Sequence, residues 1–152
     1  MSIAPGVTIE VVQRELAVAA DFAAAAGLLV DVGQVSSQKP SFTVTFQNGK
    51  GDCFHVEFDC QDYPLYPPTI EFVSGDRSER GTARLYPSGL HPMPCVCMRY
   101  NRKAYQERGG PHGDWRLVDW RLPTAQGVAI DTLAMMFSDL ESKIRQSTGR
   151  MA

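Results

Sequence analysis

The chain has almost no net charge, because 15 Lys and Arg stand against 17 Asp and Glu to leave −2. So neutral a surface carries no electrostatic footprint for a nucleic acid or an anionic membrane, so neither is an expected partner. Long apolar runs are also missing. The longest, from about Ala17 to Val30, is broken by Asp21 and Gly27 and is too short to cross a bilayer. The opening residues, MSIAPGVTIE, lack a basic region followed by an apolar stretch, so no secretory leader is expected and the cytoplasm is the default compartment. Repeats and low-complexity tracts are absent. Cysteine is scarce: Cys53, Cys60, Cys95 and Cys97 are the whole set. In a reducing compartment they are thiols, metal ligands or nucleophiles rather than disulfides.

What is present is an ordinary globular composition, 43% hydrophobic and 21% charged over 152 residues. That predicts one domain spanning residues 1–152, large enough to bury a core without staples. From Thr8 to about Ala26 the pattern is helical. Ile9, Val12, Leu16, Ala19 and Ala23 form one stripe, and Glu10, Gln13, Arg14, Ala17 and Asp21 face away from it. Thr8 is the expected N-cap and Gly27 the expected stop.

The period then changes to two. GLLVDVGQV reads as a first strand. SFTVTFQN points Phe42, Val44 and Phe46 one way and Thr43 and Thr45 the other. NGKGD carries the residues of a hairpin turn. CFHVEFD alternates Phe54, Val56 and Phe58 with His55, Glu57 and Asp59, and TIEFV supplies a fourth strand with Ile70 and Phe72. This predicts an antiparallel meander with one face buried and the other, His55 included, in water. From Ser74 to Pro123 periodicity disappears, and both tryptophans fall there. So long an irregular segment in a compact domain is expected to be functional. Ala125 to about Gln146 reads as a last helix, with Ile130, Leu133, Phe137, Leu140 and Ile144 on one face and Thr124 as its start signal. The fold class is therefore α+β.

Between the third and fourth strands lies DYPLYPPTIEFV, with Pro64, Pro67 and Pro68 in seven residues. Proline removes a ladder donor, so this is a link and not a strand. Its prolines lock an extended connection at little entropic cost, and its aromatic rings are expected to pack that connection against the end of the sheet. Tyr63, Pro64, Pro67, Pro68, Ile70 and Phe72 match the Tyr-Pro-x-x-Pro-Pro motif and following strand of the ubiquitin-conjugating enzymes. His91-Pro92-Met93 resembles that family's His-Pro-Asn, Val96-Cys97-Met98 its apolar-Cys-apolar triplet, and Trp120 with Pro123 its Trp-x-Pro. The chain thus resembles a divergent bacterial member of the family over roughly residues 8–146. It departs from the pattern at Met93, which stands where the family has Asn, in the lengths of its gaps, and in ending where the family has two more helices.

The resemblance implies a UBC-like fold: an N-terminal helix, a four-stranded meander, a long irregular active-site segment and a C-terminal crossover helix, without the last two helices. It implies a transferase that takes a ubiquitin-like modifier from an activating enzyme as a cysteine thioester and passes it to an amine on a protein target. Such bacterial members are found in antiviral or ubiquitin-like conjugation operons, and an antiviral defence operon is the expected setting here. ATP is consumed by the activating enzyme, so no cofactor is expected here, and residues 8–26 are the expected docking face for that enzyme.

A thiolate is the attacking species in such chemistry, and a thiol titrates near ~8.5, so exposure and local activation decide which cysteine serves. Cys97 is the candidate nucleophile, because Val96 and Met98 supply the apolar flanks. Cys95 has the same parity along an extended chain and remains the alternative. Cys53 and Cys60 read as packing residues. An oxyanion donor is needed beside the thioester. With Met93 in place of Asn, the candidates are backbone amides, Asn101 and His112, the last set among glycines beside Asp114 and also suited to act as a base. His91 is expected to shape the cysteine loop by local hydrogen bonding.

Two other readings stand beside this one. The first is a UBC-like binding module without transfer activity. The second is a zinc site from His91, Cys95, Cys97 and His112, although Cys-x-Cys is not the usual knuckle spacing. Arg99, Arg102, Lys103 and Arg108 form a basic cluster that reads as a solvated face or as an attractor for an acidic partner. Trp115 and Trp120 read as packing residues.

Overall fold

The computed structural model describes residues 2–33, 35, 36, 38–108, 115–125 and 127–152. The order is α1 (Pro5–Ala26), β1 (Leu29–Asp31), β2 (Ser41–Gln47), β3 (Cys53–Asp59), β4 (Thr69–Val73), α2 (Arg102–Arg108) and α3 (Leu133–Arg145), with short 3-10 turns at Ala83–Leu85 and Leu117–Asp119. The chain is α+β, as the sequence predicts. The strands form one antiparallel sheet in sequence order, β1-β2-β3-β4. Among the described residues no helix is long and apolar enough to cross a membrane.

The β2–β3 hairpin turns through Asn48, whose side-chain oxygen accepts from the amides of Lys50 at 3.0 Å and Asp52 at 2.9 Å. Gly51 takes φ +86° there, a conformation that disfavours any residue with a Cβ. One face of the sheet carries the predicted Phe42, Val44, Phe46, Phe54, Val56, Phe58, Ile70 and Phe72, all buried. Helices α1 and α3 pack together over this face. Phe137 of α3 sets its ring edge-on against Phe58 at 5.4 Å and Phe42 at 6.1 Å, while Phe42 and Phe58 stack at 5.1 Å.

The helix ends correct two expectations. Helix α1 starts earlier than Thr8: Pro5 occupies the first turn, where a missing N–H costs nothing, and Ala4 is the N-cap. Thr8 is instead buried and donates its hydroxyl to the Tyr63 carbonyl at 3.0 Å. Gly27 does end the helix, in the left-handed conformation. Helix α3 starts later, at Leu133, and Thr132 caps it by accepting from the Met135 amide at 3.2 Å. Thr124 forms a tight turn with Gly127 instead, and Gly127 at φ +130° interrupts the helical pattern. The apolar spacing from Ile130 onward concealed that break. Helix α2 lies outside the elements the sequence predicts, because its seven residues, RKAYQER, are too few to show a period.

The other face of the sheet is not the solvated surface expected. Glu57 and Glu71, paired across β3 and β4, are buried beneath Arg80, whose guanidinium reaches Glu57 at 2.9 Å and Glu71 at 3.5 Å. Lys103 closes on Glu71 at 2.6 Å. His55 is half-buried, with Nδ1 sharing a hydrogen with the Thr45 hydroxyl at 2.9 Å. Burial, and then the positive charge of Arg150, hold its pKa below the ordinary 6.5.

Two outcomes test these assignments. Thr132→Ala should lower stability by about 1 kcal/mol in urea denaturation, and Thr124→Ala by clearly less. The unfolded chain protonates His55 near 6.5, whereas the folded chain resists. Stability is therefore full above 6.5 and is lost as pH falls below it, and His55→Gln should flatten that part of the profile.

Candidate active site

Asn101 is only 1% exposed, and its side-chain amide is fully engaged. Its oxygen accepts from the amides of Ile70 at 2.8 Å and Lys103 at 3.1 Å. Its nitrogen donates to the carbonyls of Ile70 at 3.2 Å and Val96 at 2.8 Å. A carboxamide offers two donors and two acceptor positions, so no hydrogen remains for a substrate. Asn101 is therefore a positioning residue that ties the start of β4 to the residue before Cys97. The Val96 carbonyl also accepts from the Met98 amide at 2.9 Å, which closes a three-residue turn with Cys97 at its apex. The next turn is closed by Asn101 N–H to the Met98 carbonyl at 3.0 Å, and Arg102 N–H reaches the Pro68 carbonyl at 2.9 Å.

The proline link is anchored as firmly. Tyr63 is fully buried, and its hydroxyl donates to Glu15 Oε1 at 2.6 Å. The same oxygen accepts from the Leu133 amide at 2.9 Å, so one carboxylate joins α1, the link and the first turn of α3. Burial, then the Glu15 hydrogen bond, raise the Tyr63 hydroxyl far above the phenolic range. The Trp120 ring lies 6.1 Å from that of Tyr63, and its N–H donates to the Leu65 carbonyl at 3.1 Å. The Tyr63–Pro64 peptide is cis. The link is thus held between helices and an indole rather than resting only on the sheet end.

The four thiols separate by environment, and none is in a disulfide. Cys60 is wholly buried, and burial, then Asp59 and Glu15, push its thiol well above the usual range. Cys95 is buried at 4% exposure despite its shared parity with Cys97. Cys53 sits at the hairpin, 3.5 Å from the Gln47 side-chain amide. Cys97 is partly exposed and lines an open groove of about 790 Å³. The opposite wall comes from Trp115, Asp119, Trp120, residues 122–125 and residues 128–130, and Arg99 straps it to the cysteine turn by donating to the carbonyls of Asp119 at 2.9 Å and Leu122 at 3.3 Å.

The remaining candidates are placed as follows. His91 Nδ1 accepts from the Met93 amide at 3.2 Å, the local hydrogen bonding that was expected. His112 and Asp114 lie outside the described residues. Among the described residues no three His, Cys, Asp or Glu side chains are grouped to hold a metal ion. Three members of the basic cluster, Arg99, Arg102 and Lys103, have partners within the protein rather than standing on a solvated face. Arg99 is the strap, Lys103 pairs with Glu71, and Arg102 meets Asp62 at 3.7 Å and stacks 4.7 Å above Tyr66. The side chain of Arg108 lies outside what is described.

Sequence reasoning missed Glu15, and it missed the strapping role of Arg99. Glu15 had a signal: at three residues from Val12 and four from Ala19, it falls on the buried stripe. Arg99 had none, since its partners are main-chain carbonyls twenty and more residues away. In comparisons with known proteins, no family model matches the chain and no curated protein matches it.

Replacing Asn101 with Ala orphans buried main-chain groups and should cost about 3 kcal/mol in urea unfolding. In the same variant Cys95 should be alkylated about tenfold faster, which corresponds to ~1.4 kcal/mol of easier local opening.

Proposed function

We propose that this chain is a ubiquitin-conjugating-like carrier that accepts a ubiquitin-like protein on Cys97 as a thioester and delivers it to an amine on a target. The observation that carries this reading is the placement of Cys97. Of the four cysteines it is the one lining the groove, at the apex of a turn locked through Asn101 to the strand that leaves the proline motif. Acyl exchange between sulfurs needs an accessible thiolate held still relative to its partner, and little other machinery. Charging is assigned to an activating enzyme that docks on the α1 face and consumes ATP. The work is assigned to the bacterial cytoplasm, in a defence operon.

With the Asn101 hydrogens committed, the oxyanion donor in this proposal is a backbone amide or His112, which sits beside Asp114 in sequence. Met93 is 52% exposed and offers its amide to His91, so it does not replace the family's Asn. That feature favours the second reading, a module that binds the modifier without transferring it.

The chain should be incubated with ATP and the activating enzyme and ubiquitin-like protein of its own gene neighbourhood, then run on a non-reducing gel. A shifted band removed by thiol, absent in Cys97→Ala and retained in Cys95→Ala, is expected. A band that survives Cys97→Ala moves the nucleophile elsewhere. Binding without any band leaves the module. Alkylation of the folded protein by iodoacetamide should reach Cys97 first, and Cys60 only on unfolding.

A further inference from the structure

The wall facing Cys97 carries chemistry that the resemblance does not account for. By sequence, about fifteen residues more than the family pattern lie between Cys97 and Trp120, by rough alignment. They lead into a wall built of Trp120, Leu122, Val128 and Ile130. Val128 is 82% exposed and Leu122 55%, so the rim presents two aliphatic side chains to whatever enters. Single exposed aliphatics are common, but here they stand on the same groove as the thiol. Most charged groups of this wall are paired with one another or with the main chain, while the buried Arg99 Nε has no hydrogen-bond partner among the described residues. Asp119 faces Arg116 at 3.6 Å, Arg121 faces Asp131 at 3.5 Å, and the Arg99 guanidinium holds two carbonyls. A basic segment entering the groove would meet Arg99 and carboxylates that already have partners.

We infer that the groove selects the acyl donor by its tail, binding an extended C-terminal segment with apolar side chains and rejecting a basic one. The occupant is the tail of the ubiquitin-like protein, because a peptide lying along this wall brings its terminal carbonyl to Cys97. The inference rests on the carrier reading and adds its substrate class. The rim residues Leu122 and Val128 supply the contact, and Arg99 keeps their wall closed against the cysteine turn. In the exchange the Cys97 sulfur attacks the carbonyl carbon of the incoming thioester and a new C–S bond forms. The C–S bond to the departing thiol breaks, and that thiolate takes up the proton, with no oxidation or reduction.

Short synthetic peptides ending in a glycine thioester of 2-mercaptoethanesulfonate test this without any activating enzyme. Three series would carry leucine and valine, lysine and arginine, or aspartate upstream of the glycine. Charging of the whole protein is followed by intact mass spectrometry in acid. The apolar series should charge Cys97 about tenfold faster than either charged series, the scale on which an apolar pocket discriminates. Leu122→Asp and Val128→Asp, both at exposed positions, should each remove most of that preference while iodoacetamide still alkylates Cys97 at the wild-type rate. Equal charging by all three series, or fastest charging by a charged one, overturns the inference and leaves the carrier reading standing. If no peptide charges a Cys97 that iodoacetamide readily alkylates, the carrier reading fails and takes the inference with it.

Discussion

The side-chain amide of Asn101 makes four hydrogen bonds to the main chain of Ile70, Val96 and Lys103, and these lie on three different segments. A buried carboxamide with every position satisfied is rigid, since any displacement leaves a donor or acceptor orphaned in an apolar surrounding. The turn that presents Cys97 also packs Val96 and Tyr100 into the core, and Arg102 N–H binds the Pro68 carbonyl at 2.9 Å. Asn101 adds the side-chain tie from that turn to β4.

A second constraint acts on the other side of the proline link. Glu15 accepts hydrogen from both Tyr63 and Leu133, so the entry of the link and the start of α3 share one carboxylate on α1. Trp120 then covers Tyr63 and binds the Leu65 carbonyl. The link, the crossover helix and the wall of the groove thus meet around one phenol. Arg99 extends the arrangement by strapping that wall to the cysteine turn. On the far face of the sheet, Arg80 and Lys103 neutralise Glu57 and Glu71, so carboxylates that alternation sends outward are paired within the protein.

The elements governed by local physics were legible in advance. Alternating Phe and Val residues placed three strands within a residue of where they lie, and Gly27 ended α1 because only a left-handed residue was wanted there. Proline density marked a link. The start of α3 was misplaced because Ile130 continues the apolar spacing, while the backbone between Thr124 and Thr132 is turned by Gly127. Side-chain periodicity reports which face is buried and says nothing about whether the intervening backbone is helical.

For the site, the sequence by itself determined the residue types: a cysteine between apolar neighbours, a rigid aromatic link before it, and a run of basic residues after it. Tertiary structure decided which cysteine meets the groove, since Cys95 and Cys97 share parity yet only a folded turn buries one and exposes the other. It also decided that Asn101 holds the backbone rather than facing a substrate, and that the arginines after Cys97 are fasteners. The reason is the same in each case. Exposure and hydrogen-bond commitment depend on atoms brought together from distant positions, and pattern along the chain carries no record of them.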